Sequence, residues 1–245
     1  TCALPILRES GAEVFECPVD VTQAAQMDAF ADATLERFGA VHVFANNAGV
    51  GGGGLSWETP VSTWEWVLGV NLWGVIHGLR AFVPILLEQD EAHVINTASV
   101  AGLVAAPMMA AYNASKHAVV AISESLHHEF AVTGAKARVS VLCPGWVRTG
   151  IATSERNRPE HLDVPAAGSV EAQQQAGVMQ GVLEQLIANG MDPALVADRV
   201  FDAVRDEQFW ILTHGETPDD MWTQAVNRRL DSVRDRTNPV MNLLV

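Results

Sequence analysis

A tyrosine and a lysine four positions apart, Tyr112 and Lys116, are the residues of this 245-residue chain whose types and spacing most clearly suggest chemistry. Positions i and i+4 of a helix lie on the same face, so a helix here would hold the phenol beside the ammonium. A free phenol has a pKa of about 10, and a nearby cation lowers it, which suits proton exchange with an alcohol or carbonyl oxygen. Because this spacing also arises by chance in many helices, the alternative is an ordinary helical pair. Tyr112 is the only tyrosine in the chain.

Two further polar residues, Ser99 and Asn71, favour the chemical interpretation. Ser99 follows a predicted buried strand at 92–96, at the end where open parallel sheets place ligand-binding residues, and its hydroxyl could stabilise charge on a reacting oxygen. The alternative is a serine that only caps its loop. Asn71 lies inside a predicted helix, where asparagine is a neutral-to-poor choice unless its amide has a role. Otherwise Asn71 is a tolerated polar residue.

The elements that must position these residues alternate between apolar strands and helices, which is typical of a parallel sheet built from strand-helix-strand units. We find no repeat, low-complexity tract or linker, so residues 1–245 are expected to form one α/β domain. The segment 146–190 begins with a stretch that lacks periodicity, and we predict that it is a substrate lid. The predicted strands are 14–20, 41–45, 92–96, 137–142 and 209–213, and the predicted helices are 24–38 with Thr22 as N-cap, 62–88, 112–133, 169–189, 192–206 and 217–234.

Composition and charge exclude several classes of function. Fifteen basic against twenty-nine acidic residues give a net charge of −14, which argues against nucleic acid or an anionic membrane as a partner. The longest uncharged run, 92–115, is interrupted by polar residues and makes a poor membrane span. With no signal-peptide pattern at the start, we expect a cytoplasmic protein. Three cysteines without a Cys-x-x-Cys pair, and eight scattered histidines, predict neither a disulfide framework nor a metal site.

The ordered set of motifs resembles the short-chain dehydrogenase/reductase family. The set comprises Asn46-Asn-Ala-Gly49 after a strand, Asn71, Ser99, the pair Tyr112 and Lys116, and Pro144-Gly145 after a later strand. The resemblance implies a doubly wound parallel sheet of Rossmann type with three α/β/α layers. It also implies that Tyr112 is the general acid/base, that Lys116 lowers its pKa and holds the nicotinamide ribose, that Ser99 polarises the substrate oxygen, and that Asn71 supports a proton-relaying water.

The same resemblance implies a nicotinamide coenzyme, NAD or NADP. Asp20 would hydrogen-bond the adenine amine and Val21 would supply a backbone contact, although Asp20 could instead serve a turn or a helix cap. The adenosine ribose would lie beside Asn47, Ala48 and Gly49, and the nicotinamide would lie against Pro144, Gly145, Val147 and Thr149. The choice between NAD and NADP depends on a residue after the second strand of the family fold. That strand would precede Thr1, so the residue that decides between NAD and NADP does not lie in this sequence.

A glycine-rich run, Gly49-Val-Gly51-Gly-Gly-Gly54, formally fits the phosphate-binding pattern G-x-G-x-x-G. That pattern belongs after the first strand and opens a helix, whereas this run follows Asn-Asn-Ala and no helix is predicted directly after it. We interpret it as a flexible loop near the substrate or the nicotinamide. The glycine motif of the family is absent near Thr1, so we expect the natural protein to extend N-terminally by a strand-helix-strand unit of roughly 30 residues.

The predicted function is an NAD(P)-dependent oxidoreductase that interconverts a secondary alcohol and a ketone or aldehyde on a hydrophobic small molecule. The predicted substrate contacts are Ser99, Leu103, Met109 and Trp146. The alternative is a catalytically idle Rossmann-like protein that binds a coenzyme or regulates another protein. The predicted helices 62–88 and 112–133 carry apolar residues on more than one face, so we expect a homodimer or homotetramer.

Overall fold

The computed structural model of the chain describes residue 7 and residues 9–162, 170–214 and 220–240. A π-helical turn at Gly69–Trp73 joins two helices, and short 3-10 helices occupy Val100–Gly102, Gly150–Asn157 and Glu160–Leu162. The four strands are β1 (Val43–Asn46), β2 (His93–Thr97), β3 (Arg138–Cys143) and β4 (Trp210–Leu212). The helices are α1 (Ala24–Phe38), α2 (Val61–Leu68), α3 (Gly74–Leu87), α4 (Ala110–Thr133), α5 (Val170–Ala188), α6 (Pro193–Arg205) and α7 (Met221–Asp235).

The strands form one parallel sheet in the order β1-β2-β3-β4. Asn46 of β1 is in register with Asn96 of β2, and Thr97 of β2 is in register with Leu142 of β3. All four carboxyl ends therefore lie at one edge of the sheet, the edge where open α/β sheets bind ligands. The loops that follow β1, β2 and β3 begin at this edge.

Side chains of the strands alternate between two helical layers. Val94 of β2 packs in a cluster with Phe82 of α3 and Leu126 of α4. The next residue, Ile95, faces the opposite side and packs with Ala203 of α6. Because neighbouring residues of a strand point to opposite faces, helices cover both sides of the sheet. The predicted three-layer α/β/α fold of Rossmann type is confirmed.

Several sequence-based element predictions are wrong. Residues 14–20, predicted to be a strand, lie in a stretch without regular secondary structure, because a strand requires a hydrogen-bonded neighbour and none pairs with it among the described residues. The N-cap of α1 is Gln23 rather than Thr22. The stretch without periodicity at the start of the segment 146–190, which we expected to be an irregular loop, contains two short 3-10 helices. The predicted helix 62–88 is divided by the π-helical turn.

The helical run Val61–Leu87 is, within the part of the chain that the structure describes, the single stretch long and apolar enough to cross a membrane by length and composition. From the sequence we expected no membrane span. Core helices of water-soluble proteins meet the same criterion, and this run buries Trp66, Phe82 and Leu86 in the fold. It therefore carries no argument for a membrane.

A buried polar ladder links β1, β2 and α4 beneath the sheet edge. Asn46 Nδ2 donates to Asn96 Oδ1 over 2.9 Å, and Asn96 Nδ2 donates to Ser123 Oγ over 3.0 Å. Ser123 Oγ donates in turn to the Val119 carbonyl over 2.7 Å. Since buried polar groups are costly unless they are hydrogen-bonded, this ladder fixes the register between the sheet and α4.

Gly78 of α3 is expected to tolerate no side chain, because it lies directly against this ladder. A Cβ atom there would lie 2.8 Å from Phe44 Cζ and closer still to Asn46 Oδ1. We expect Gly78→Ala to lower the free energy of unfolding by about 1–3 kcal/mol, the usual effect of overpacking a core. Urea denaturation measures this change.

The matched control for Gly78→Ala is Gly181→Ala. Gly181 also lies inside a helix, α5, but a Cβ atom there would meet nothing within 4 Å. Alanine is the better helix former, so this variant should gain up to about 1 kcal/mol. Equal stability changes in the two variants would contradict the packing assigned to Gly78.

Candidate active site

Tyr112 and Lys116 lie in the first two turns of α4. The helix runs from Ala110 to Thr133 and is stopped by Gly134, whose φ of +68° is left-handed. Tyr112 is half-buried, and Lys116 lies one turn later with its side chain buried at the carboxyl end of β2. The Lys116 Nζ lies 5.7 Å from the Tyr112 ring centroid. The structure therefore brings the phenol and the ammonium onto one face, as the spacing predicted.

Ser99 faces Tyr112 from the loop that follows β2. Its hydroxyl accepts from the Ala101 amide over 3.1 Å and donates to the Pro144 carbonyl over 3.3 Å. Its side chain also lies close enough to the Tyr112 phenol to favour the ionised form and so to lower the pKa of that phenol. Ser99 therefore caps its short 3-10 helix, as the alternative interpretation expected. Its role in polarising a substrate oxygen stays a prediction.

Burial controls the ionisation of both members of the pair. Removal from water raises the pKa of Tyr112, and the neighbouring Ser99 side chain opposes this only in part. Burial also lowers the pKa of Lys116 to about 8. The prediction that Lys116 lowers the pKa of Tyr112 is not met in this structure. The Lys116 ammonium donates to the Thr97 carbonyl over 2.9 Å and lies over the ring rather than at the hydroxyl.

Asn71 joins the glycine-rich loop to the start of α4. Its Oδ1 accepts from the Val50 amide over 2.8 Å, and its Nδ2 donates to the Val50 carbonyl over 2.9 Å. Nδ2 also lies 3.2 Å from Ser115 Oγ. Asn71 is fully buried in the π-helical turn, a rare geometry that is frequent at functional sites. Its role in supporting a water stays a prediction.

Some residues predicted to contact the adenosine half of a coenzyme share one cleft. Val21, Asn47 and Ala48 line a cleft of about 180 Å³ beside α3. Asn47 Oδ1 also accepts from Thr97 Oγ1 over 3.2 Å, which joins the loops after β1 and β2. Asp20 lies outside this lining, and its Oδ1 accepts from the Thr22 amide over 3.0 Å. The structure thus shows its turn role, and its adenine contact stays a prediction.

The loop predicted to hold the nicotinamide is fixed by the end of β4. The Gly145 amide donates to Thr213 Oγ1 over 3.0 Å, and a Cβ at Gly145 would lie 2.6 Å from the His214 ring. Val147 pairs with Met191, and Thr149 caps the following 3-10 helix. Sequence reasoning missed Thr213 and His214. The available signal was their position at the carboxyl end of the last predicted strand, 209–213, at the edge where the other loops meet.

The predicted substrate contacts have different surroundings. Leu103 packs against the core cluster beneath α4, and its carbonyl accepts from Arg229 of α7 over 2.7 Å. Trp146 packs with Trp222 of α7, and its indole nitrogen is buried without a hydrogen-bond partner. Met109 pairs with Gly54 of the glycine-rich loop. Helix α7 therefore supports this side of the site, which the sequence did not indicate.

The residues at this sheet edge fit the nicotinamide half of a dinucleotide. Gly49 has no side chain, so the space beside Lys116 Nζ stays open. A Cβ atom at this position would lie within 3.6 Å of Lys116 Nζ and 3.5 Å of Asn71 Oδ1. The run from Gly49 to Gly54 does not open a helix, since α2 begins only at Val61. It is therefore not arranged as a phosphate-binding turn. Within the described ranges, no group of three His, Cys, Asp or Glu side chains could hold a metal ion.

Comparisons with known proteins agree with this geometry. A family model described as short chain dehydrogenase matches residues 3–160. A CLA biosynthesis dehydrogenase/reductase from Lactiplantibacillus plantarum is 34% identical over 209 residues, which are 85% of this chain and 73% of that protein. The chain spans between 51% and 73% of the length of the first four curated relatives.

Solved structures give the same result. A short-chain dehydrogenase/reductase from Burkholderia phymatum in complex with NAD matches with a TM-score of 0.90 and 44% identity, over 98% of this chain and 83% of that chain. A variant of actinorhodin polyketide ketoreductase with NADPH matches with a TM-score of 0.67 and 27% identity, over 86% of this chain and 80% of that chain. Structures similar to this chain thus hold either coenzyme.

Proposed function

Because the chain belongs to the short-chain dehydrogenase family, we propose that it interconverts a secondary alcohol and a ketone, or an aldehyde, with Tyr112 as general acid/base. The observation that carries this proposal is the placement of Lys116 one helical turn from Tyr112, with its Nζ 5.7 Å from the ring centroid and hydrogen-bonded to the Thr97 carbonyl at the carboxyl end of β2. The side chain of Ser99 lies close to the same phenol. NAD or NADP is the hydride carrier. The substrate class, an apolar small molecule, is supported by the apolar side chains of Leu103, Met109 and Trp146.

Each residue of the site has a distinct role in this proposal. The bound nicotinamide supplies the hydride acceptor or donor. The Ser99 hydroxyl holds the substrate oxygen by a hydrogen bond, and Tyr112 exchanges a proton with the same oxygen. The Lys116 ammonium, held at the carboxyl end of β2 by the Thr97 carbonyl, binds the coenzyme ribose. Asn71 keeps the glycine-rich loop against this pair.

The raised pKa of Tyr112 sets the expected pH dependence of the two directions. Because the phenol stays protonated near neutral pH, it can donate a proton to a carbonyl oxygen. Alcohol oxidation needs the phenolate instead, so kcat/KM for oxidation should rise with pH across the alkaline range, while reduction should not. Initial rates in both directions from pH 6 to 10 test this. A rate of oxidation that falls with pH would contradict the assigned base.

Absorbance of the reduced nicotinamide tests the function itself. The full-length protein would be assayed with NAD and NADP, or their reduced forms, against hydrophobic secondary alcohols and ketones. We expect turnover with at least one pair, and its loss in Tyr112→Phe. Coenzyme binding without any turnover would favour the idle binding or regulatory protein. Turnover unchanged in Tyr112→Phe would contradict the assigned mechanism.

The proposed assembly is a homodimer or homotetramer formed through the long helices. Exposed apolar side chains on this part of the fold support it: Trp73 of the π-helical turn is 53% exposed and Val132 of α4 is 87% exposed. A lone exposed apolar residue is ordinary, but a shared helical face is typical of an interface. Light scattering measures the molecular mass and would contradict the proposal with a monomer. A cytoplasmic location stays an expectation.

A further inference from the structure

Residues 150–162 belong to the segment predicted to be a substrate lid and are called the lid below. They are held by Arg158, whose side chain is buried despite its charge. The Arg158 side chain is only 7% exposed. Its Nε and Nη2 donate to the two carboxylate oxygens of Glu155 over 2.6 and 2.7 Å. Its guanidinium carbon lies 4.2 Å from the centroid of the Trp66 ring. A buried arginine is costly unless it is paired, so these partners determine its position.

The partners of Arg158 come from both the lid and helix α2. Trp66 belongs to α2 and is 2% exposed, so the guanidinium lies on a ring that is itself part of the core. Arg158 Nη1 lies 3.4 Å from the Leu162 carbonyl and 3.5 Å from Thr63 Oγ1 of α2. This stacked and doubly hydrogen-bonded geometry requires a planar guanidinium, which a lysine cannot supply. Arg158 therefore fastens the lid to α2.

The fastened lid reaches the glycine-rich loop through Ser154. Ser154 is 4% exposed, and its Oγ accepts from the Gly51 amide over 2.9 Å. A Cβ at Gly51 would lie 3.4 Å from the Ile151 carbonyl, so the lid packs directly on this loop. Two residues earlier, Gly49 lies beside Lys116 Nζ. A continuous series of contacts thus runs from Arg158 through the lid and the loop to the catalytic pair.

We propose that Arg158 is a positioning residue that holds the lid and the glycine-rich loop together as one wall of the substrate cleft. This inference rests on the proposed function. Arg158 touches none of the reacting groups, so its interactions contribute equally when substrate is bound and when it reacts. Loss of such uniform binding raises KM and leaves kcat nearly unchanged.

Hydrogen exchange tests the structural half of the proposal without a substrate. Three variants are compared in the full-length protein: Arg158→Met, Arg158→Lys and Ser154→Ala. Backbone amides of residues 49–54 and 150–162 should exchange at least about tenfold faster in all three variants. The two Arg158 variants lose the charge-assisted contacts of the guanidinium, and Ser154→Ala loses the hydrogen bond from the Gly51 amide. The control Arg205→Met removes an exposed arginine that forms ion pairs at the end of α6. Hydrogen exchange in both segments should be unchanged in this variant.

Steady-state kinetics test the functional half. We expect the substrate KM to rise about tenfold in Arg158→Met and Ser154→Ala while kcat stays within about threefold. Arg158→Lys should behave like Arg158→Met, because an ammonium keeps the charge but restores neither the paired hydrogen bonds to Glu155 nor the stacking on Trp66. Ser154→Ala keeps the ion pair between Arg158 and Glu155, so it tests the proposal even if Arg158→Met fails to fold.

Three results would overturn the proposal. One is faster exchange of 150–162 with no change at 49–54, which would separate the lid from the loop. Another is a KM that stays constant while both segments exchange faster. The third is a loss of protection spread over the whole sheet, which would show a merely structural role. A wild-type protein without nicotinamide-dependent turnover would instead refute the proposed function, and the exchange result would still report on the contacts.

Discussion

Tyr112→Phe is expected to lower kcat by a factor of about 10³, within the range that a positioned general acid or base contributes. Phenylalanine keeps the ring and removes only the hydroxyl that meets Ser99. The fold and the coenzyme affinity should therefore stay unchanged. Initial rates with saturating coenzyme measure the effect, and coenzyme fluorescence titration measures binding.

The control for this variant is Trp57→Phe, which also trims an aromatic side chain but at a position that is 79% exposed. Its kcat should equal that of the wild type. A residual rate in Tyr112→Phe within about tenfold of the wild type would assign the proton exchange to another group. Loss of coenzyme binding together with activity would show that the hydroxyl has a structural role instead.

Lys116→Met is expected to lower kcat/KM by about 10² or more, because it removes the cation that holds the coenzyme beside the reacting groups in the proposed mechanism. It should not lower stability. Burial holds the pKa of Lys116 at about 8 rather than 10.5, which at neutral pH amounts to about 3 kcal/mol spent on keeping the charged form buried. Methionine has a similar length and no charge, although the hydrogen bond to Thr97 is lost with it.

The pH dependence of stability gives this variant a second readout. Above pH 8 the folded chain has released the Lys116 proton while the unfolded chain still binds it, so the unfolded state binds more protons. Stability of the wild type therefore rises with pH between about 8 and 9.5, and this rise disappears in Lys116→Met. Urea unfolding at pH 7.5 and 9.5 measures the difference.

Lys136→Met is the matched control, since Lys136 is the only other lysine of these 245 residues. Its ammonium is exposed and pairs with Asp90. We expect this control to retain the wild-type activity and the wild-type rise in stability. A Lys116→Met protein that unfolds more easily at pH 7.5 than the control would show that the hydrogen bond to Thr97 outweighs the buried charge.

The parts of the site that depend on local spacing could be predicted from the sequence. Tyr112 and Lys116 share a helical face because four residues make about one turn, and Ser99 lies at the sheet edge because it follows a strand. Their ionisation could not be predicted in the same way. It depends on burial, which no spacing encodes, and burial raises the pKa of Tyr112 where the neighbouring cation predicted a decrease.

The failures of sequence reasoning involve contacts between distant segments. Residues 14–20 have the composition of a strand, but strand formation requires a pairing partner, and none lies beside them in the described sheet. Arg158 and Trp66 are 92 positions apart, so neither residue indicates the other. Leu103 has the apolar side chain expected of a substrate contact, yet it also packs in the core.

The central claim is that the Tyr112 phenol lies at the reacting end of the coenzyme site. NMR of tyrosine labelled with ¹³C at Cζ tests it without knowledge of the substrate, and Tyr112→Phe assigns the resonance. In the free protein the phenol should titrate above pH 10, because burial raises its pKa. Saturating oxidised coenzyme, whose nicotinamide ring is positively charged, should lower that pKa by at least about one unit, and the reduced form should not. The account would be contradicted if the Tyr112 phenol titrated identically in the free protein, with the oxidised coenzyme and with the reduced coenzyme.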